Sequence, residues 1–139
     1  MAYWLMKTEP DEFSYTNLEE RGREPWNGVK NPTALKHMRA MVEGDLFLFY
    51  HTGDQRAVVG VGRITKAAYP DPQESDPKWV VVDVVPAYRF AQPVTLAAIK
   101  ADAQFAQWEL VRQSRLSVMP VSPEHWLAIH AMGATLVSA

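Results

Sequence analysis

Four histidines are the first candidates for chemistry in this 139-residue sequence: His37, His51, His125 and His130. No two stand at metal-ligand spacing with a third ligand nearby, and the His-Glu-x-x-His signature is absent. They read as surface or structural residues. His51 is set apart because it ends an apolar run, after Tyr50 and before Thr52, where strand ends commonly line a pocket. There is no cysteine, which removes disulfides, thiolate metal sites and a thiol nucleophile together. Ser14 and Ser117 lack the Gly-x-Ser-x-Gly elbow of a nucleophilic serine. Gly60-Val61-Gly62 lies inside a strand pattern and opens no helix, so it carries no weight as a dinucleotide fingerprint. Asp and Glu are plentiful, but sequence alone pairs none of them for acid–base work. No cofactor and no metal is expected.

The aromatic residues offer a different chemistry. Trp26, Tyr50, Tyr69 and Trp79 stand near turns or strand ends. An aromatic face stacks on a nucleobase, at about 1–3 kcal/mol per base. Polar side chains suited to base edges or phosphates stand near them: Lys7, Thr8, Asn31, His51, Arg115 and Ser117. Asn presents a donor and an acceptor on one planar group, which matches a base edge. A plainer role is open for each. Trp26 also suits a hydrophobic staple before a helix, and Asn31 also suits a plain helix cap.

The elements that must position these residues follow from periodicity and punctuation. Tyr3 to Lys7 reads as a first strand, and Thr8-Glu9-Pro10-Asp11 as a turn. Ser14 caps a short helix that Gly22 stops. Asn31-Pro32 starts a second helix, to about Met41. Leu46 to Thr52 reads as a central strand and Ala57 to Ala67 as its hairpin partner, with Gly60 and Gly62 marking tight curvature. Tyr69-Pro70-Asp71-Pro72 reads as a rigid loop, and Lys78 to Tyr88 as a third long strand. Thr95 caps a helix to about Ala101, and a second runs from Ala103 to Leu110. Arg115 to Pro120 reads as a short strand, and a last helix begins at Ser122-Pro123 and ends before Gly133. The pattern predicts α+β architecture: a curled, mainly antiparallel β-barrel flanked by short helices.

Apolar residues make up 47% and charged residues 22%, which fits a folded globular chain in a single domain, residues 1–139. The first seven residues carry no basic leader and no long apolar run, so they read as a strand rather than a signal peptide. No stretch approaches the length of a membrane span. A cytoplasmic protein with no membrane partner is the expectation, as a monomer or weak homodimer. The formal net charge is −2, which disfavours a general duplex clamp built on phosphate neutralisation.

Blocks along the chain resemble the EVE domain family, in that family's order. They include Tyr3-Trp4-Leu5-Met6-Lys7-Thr8-Glu9-Pro10, Trp26-Asn27-Gly28-Val29-Lys30-Asn31, Phe49-Tyr50-His51-Thr52, Ala68-Tyr69-Pro70-Asp71 and Arg112-Gln113-Ser114-Arg115-Leu116-Ser117-Val118. The resemblance implies a PUA-like fold, related to the YTH readers of methylated adenine in RNA. It implies a pocket for a modified base in DNA or RNA, including modified cytosines for some members. By position, Trp26 would be the aromatic wall and Asn31 the base-edge amide. Lys7 and Thr8 would sit at the mouth, Tyr50 and His51 would close one side, and Tyr69 would be a second aromatic face. Arg115 and Ser117 would reach the base or its phosphate. The sequence departs from the family pattern at Asn27, Lys30, Pro32 and Thr33. Lys in place of Arg at position 30 loses a planar fork.

Three readings follow. The first is a non-catalytic module that recognises a modified nucleobase. The second is an enzyme on modified nucleic acid or nucleotide, with His51 as general base and Lys7 and Arg115 as phosphate clamps. The third is a domain that keeps the pocket for another small planar ligand.

Overall fold

The computed structural model describes residues 1–137. Its framework is a six-stranded sheet in the order β2-β5-β4-β3-β1-β6. The strands are β1 (Tyr3–Thr8), β2 (Glu24–Pro25), β3 (Leu46–His51), β4 (Ala57–Pro70), β5 (Val80–Thr95) and β6 (Val118–Val121). Around it lie α1 (Tyr15–Arg21), α2 (Pro32–Ala40), α3 (Leu96–Lys100), α4 (Glu109–Arg112) and α5 (Pro123–Met132), with one 3-10 turn at Ala103–Phe105. Among the described residues no helix is long and apolar enough to cross a membrane.

The expected α+β plan, mainly antiparallel and flanked by short helices, is present. The sheet is open, however, not closed into a barrel: no pairing joins the edge strands β2 and β6 among the described residues. Both edges are too short to continue the ladder, at two and four residues. Helix α2 packs against β6 on one side and against β4 and β5 on the other, so side-chain packing spans the gap that hydrogen bonds leave.

Strands β1 and β3 pair in parallel, Tyr3 with Leu46 through Thr8 with His51. A parallel pair needs a long crossover, and residues 9–45 supply it with α1, β2 and α2 inside. All six β3 residues are buried, as a strand flanked on both sides and covered on both faces requires. Gly60 and Gly62 on β4 make room for rings. A Cβ at Gly62 would stand 2.3 Å from Phe47 Cζ, and one at Gly60 would stand 2.9 Å from Tyr15 Cε2. The β4–β5 register shifts at both places, which bends the ribbon.

The helix starts follow the capping residues. Ser14 accepts the Asn17 N–H while the Asn17 side chain accepts the Ser14 N–H, a capping box. Asn31, Thr95 and Ser122 each cap their helices in the same sense. Asp45 is 1% exposed and accepts the Trp4 indole N–H and the Val42 amide, each at 3.0 Å, which ties β1 to the start of β3.

Several boundaries differ from expectation, and β5 runs from Val80 on to Thr95, well past the expected end at Tyr88. Tyr69 and Pro70 are the end of β4, paired with Val81 and Val80, not a loop. The segment from 103 to 110 splits into the 3-10 turn and α4. Arg115 to Ser117 precede β6 instead of forming part of it.

Candidate nucleic-acid interface

The parallel strands β1 and β3 end side by side at Thr8 and His51, and two recesses open around that end. The first is a cavity of about 530 Å³ between the end of β1, the turn after it, and residues 24–30. Trp26 forms its floor. The Trp26 amide donates to Val82 O at 2.8 Å, so the β2 ladder fixes its backbone. Its ring meets Phe13, Phe47 and Phe49 edge to face, at centroid distances of 6.0, 5.7 and 5.4 Å. Such packing holds the ring rigidly and leaves it 6% exposed. Phe13 is half-buried beside it, with the Arg21 guanidinium 5.3 Å from its ring centroid. Arg21 also pairs with Glu24. Gly28 turns the rim with φ +79°, a left-handed conformation that favours glycine.

The polar lining of this cavity is rich in acceptors. Glu9, Glu12 and Glu24 contribute carboxylates, Asn27 an amide, and Thr8 and Ser117 hydroxyls, beside the cations Arg21 and Lys30, which pair with Glu24 and Glu74. The Thr8 hydroxyl donates to Phe13 O at 3.1 Å, which leaves its lone pairs for a ligand. Lys7 stands at the mouth. Its Nζ donates to Ser114 O at 3.1 Å, and burial pulls its pKa below the usual lysine range.

The second recess, about 410 Å³, shares Lys7, Thr8, Glu9 and Ser117 with the first. Its own walls carry Tyr50, Arg56, Lys100 and Arg115. Tyr50 is 2% exposed, lies 5.5 Å beneath Lys7 Nζ, and has its pKa raised by burial.

The expected site residues divide by place. Lys7, Thr8, Trp26 and Ser117 line the first lobe, and Lys7, Thr8, Tyr50, Arg115 and Ser117 line the second. Asn31 lines neither. Its Oδ1 accepts the Ala34 N–H at 3.0 Å, and its exposed part faces a shallow recess shared with Arg115. His51 lines neither lobe and is 7% exposed. Its Nε2 accepts the Tyr15 N–H at 3.1 Å, so the ring proton sits on Nδ1 and points to Gln55 Oε1 at 2.7 Å. Tyr69 lies across the sheet, donates to the Asp83 carboxylate and carries Lys66 over its ring. Burial first, and that carboxylate second, push its pKa up to about 12. Asp83 also receives Arg23 at 2.9 Å. Burial alone would raise the Asp83 pKa, but the Tyr69 and Arg23 hydrogen bonds hold it below the usual carboxylate value.

Several lining residues escaped sequence reasoning. Glu9 follows Thr8 directly in the turn, and Phe13 precedes the Ser14 cap as a staple residue would, so both were within reach. Arg56 and Lys100 had no local signal, because α3 reaches the recess from a distant part of the chain.

The EVE domain profile matches residues 2–132. The chain belongs to the EVE domain family. Mouse thymocyte nuclear protein 1 is 31% identical over 158 residues, covering 89% of this chain and 70% of that protein. This EVE domain superposes on the NMR structure of Rpa0253 from Rhodopseudomonas palustris with TM-score 0.93 and 41% identity, covering 99% of this chain and 97% of the other. It superposes on human THYN1 in complex with 5-methylcytosine-containing DNA with TM-score 0.88 and 27% identity, covering 99% and 100%. These likenesses carry the PUA-like fold.

Proposed function

We propose that this EVE domain binds DNA by holding one modified cytosine in the first lobe, without chemistry on it. The observation that carries this reading is the Trp26-floored cavity of about 530 Å³, within the size range of small-ligand pockets. A cytosine presents an exocyclic amine that donates, and carboxylates are the side chains that accept from it. Glu9 and Glu12 supply acceptors, while Glu24 is paired with Arg21. A 5-methyl group is apolar, and the ring edges of Phe13 and Trp26 suit it. The THYN1 complex with 5-methylcytosine DNA supports the choice of base and polymer. The net charge of −2 supports capture of one base over a clamp along the duplex. Binding without reaction agrees with His51, whose two ring nitrogens are both engaged.

Fluorescence anisotropy with duplexes carrying one 5-methylcytosine or one cytosine tests the reading. The wild type is expected to prefer the methylated duplex. Glu12→Gln and Asn27→Ala, both at exposed positions, are expected to weaken binding of the methylated duplex by about 1–3 kcal/mol with unchanged melting. Equal binding of the two duplexes by the wild type would overturn the reading. A stronger preference for a methylated RNA of the same sequence would reassign the polymer.

A further inference from the structure

The second lobe concentrates the positive charge that the fold leaves unpaired. The sequence has fourteen lysines and arginines. Among the described residues, Arg21, Arg23, Lys30, Lys78 and Arg89 pair with carboxylates. The side chains of Lys7, Arg39 and Arg112 donate to a carbonyl or an amide oxygen, and Lys66 lies over Tyr69. Lys36, Arg56, Arg63, Lys100 and Arg115 remain, with no ion pair, side-chain hydrogen bond or ring contact among the described residues. Three of these, Arg56, Lys100 and Arg115, line the same recess of about 410 Å³. They come from three separate segments: the turn before β4, the end of α3 and the loop before β6. Arg56 holds its place at φ +42°, a conformation that costs a non-glycine residue energy, while its carbonyl accepts the Leu96 N–H at 2.8 Å. One carboxylate, Glu9, stands at the boundary with the first lobe and accepts the Thr52 hydroxyl at 3.4 Å.

We infer that the second lobe is a phosphodiester subsite, in which Arg56, Lys100 and Arg115 hold the backbone of the strand whose base enters the first lobe. The assignment of that base rests on the function proposed above; the anion site does not. The shared wall of Lys7, Thr8 and Ser117 sets the two lobes one beside the other, as a nucleotide's base and phosphate require. A free nucleoside would fill only the first lobe. The ligand is therefore a strand, and its affinity depends on salt.

The test compares two double variants that remove the same charge. One is Arg56→Gln with Lys100→Gln, and the other is Lys36→Gln with Arg63→Gln. Each is titrated with methylated and unmethylated DNA across a potassium chloride series, and melting temperatures are recorded. For the lobe variant, the slope of log K against log salt is expected to become shallower by about 2, since each phosphate neutralised on duplex DNA accounts for about 0.9 of that slope. The control variant is expected to keep the wild-type slope. Equal slopes in all three proteins, or the same change in both variants, would overturn the subsite. So would salt-independent binding by the wild type. The two proposals fail separately: equal affinity for methylated and unmethylated DNA, with the slope change intact, would overturn the base reading and leave the subsite standing.

Discussion

At the scale of single residues, Trp26 is both the floor of the first lobe and a core residue. Its ring touches three phenylalanines, and its 6% exposure means that truncation opens a cavity. Trp26→Ala is expected to cost about 3–5 kcal/mol of stability in a urea titration. A loss of only a few tenths of a kcal/mol would contradict the packing described. Binding is therefore better read at exposed Glu12 and Asn27. Some residues that line the two lobes were legible in the sequence, but Glu9, Arg56 and Lys100 escaped it, and so did the directions of the side chains. Lys7, Thr8, Trp26 and Ser117 face the first lobe. Asn31 caps α2, His51 anchors the first turn of α1, and Tyr69 steadies Asp83. A cap, an anchor and a ligand contact use the same residue types, so one sequence cannot tell them apart.

At the scale of elements, the bend in β4 brings the sheet around the pocket floor, and Gly62 permits it. A methyl group there would strike the Phe47 ring, which itself packs on Trp26. Gly62→Ala is expected to lower stability by about 1–3 kcal/mol through overpacking. Phe47→Leu in the same chain should return part of that loss, seen as coupling in a double-mutant cycle. Strictly additive effects would contradict the contact. The role of Gly60 and Gly62 was visible in the sequence as curvature, and the helix starts were visible in Ser14, Asn31, Thr95 and Ser122, because caps and glycines act locally. The parallel pairing of β1 with β3 was not visible. It joins residues far apart in the chain, as Tyr3 is from Leu46, and leaves no turn between them to read. The Tyr69-Pro70 segment misled for the opposite reason: its local signal is a turn, while pairing with β5 keeps it extended.

At the scale of the whole molecule, a net charge of −2 hides a division of labour. The first lobe sets Glu9, Glu12 and Glu24 beside Arg21 and Lys30, both of which are in ion pairs, while the second holds Arg56, Lys100 and Arg115 without ion pairs, with one wall between them. Average composition cannot show such a separation, because it appears only when α3 and the loop before β6 fold against the end of β1. The central claim is that a base enters the Trp26 lobe. The most direct measurement is an NMR titration of ¹⁵N-labelled protein with DNA carrying one 5-methylcytosine, set against the unmethylated duplex. The Trp26 indole and the Thr8, Asn27 and Gly28 amides are expected to shift, and to shift further with the methylated DNA. The Trp4 indole, bound to Asp45 elsewhere in the core, is expected to stay in place. Shifts confined to another face, or the same at these four residues for both duplexes, would contradict the account.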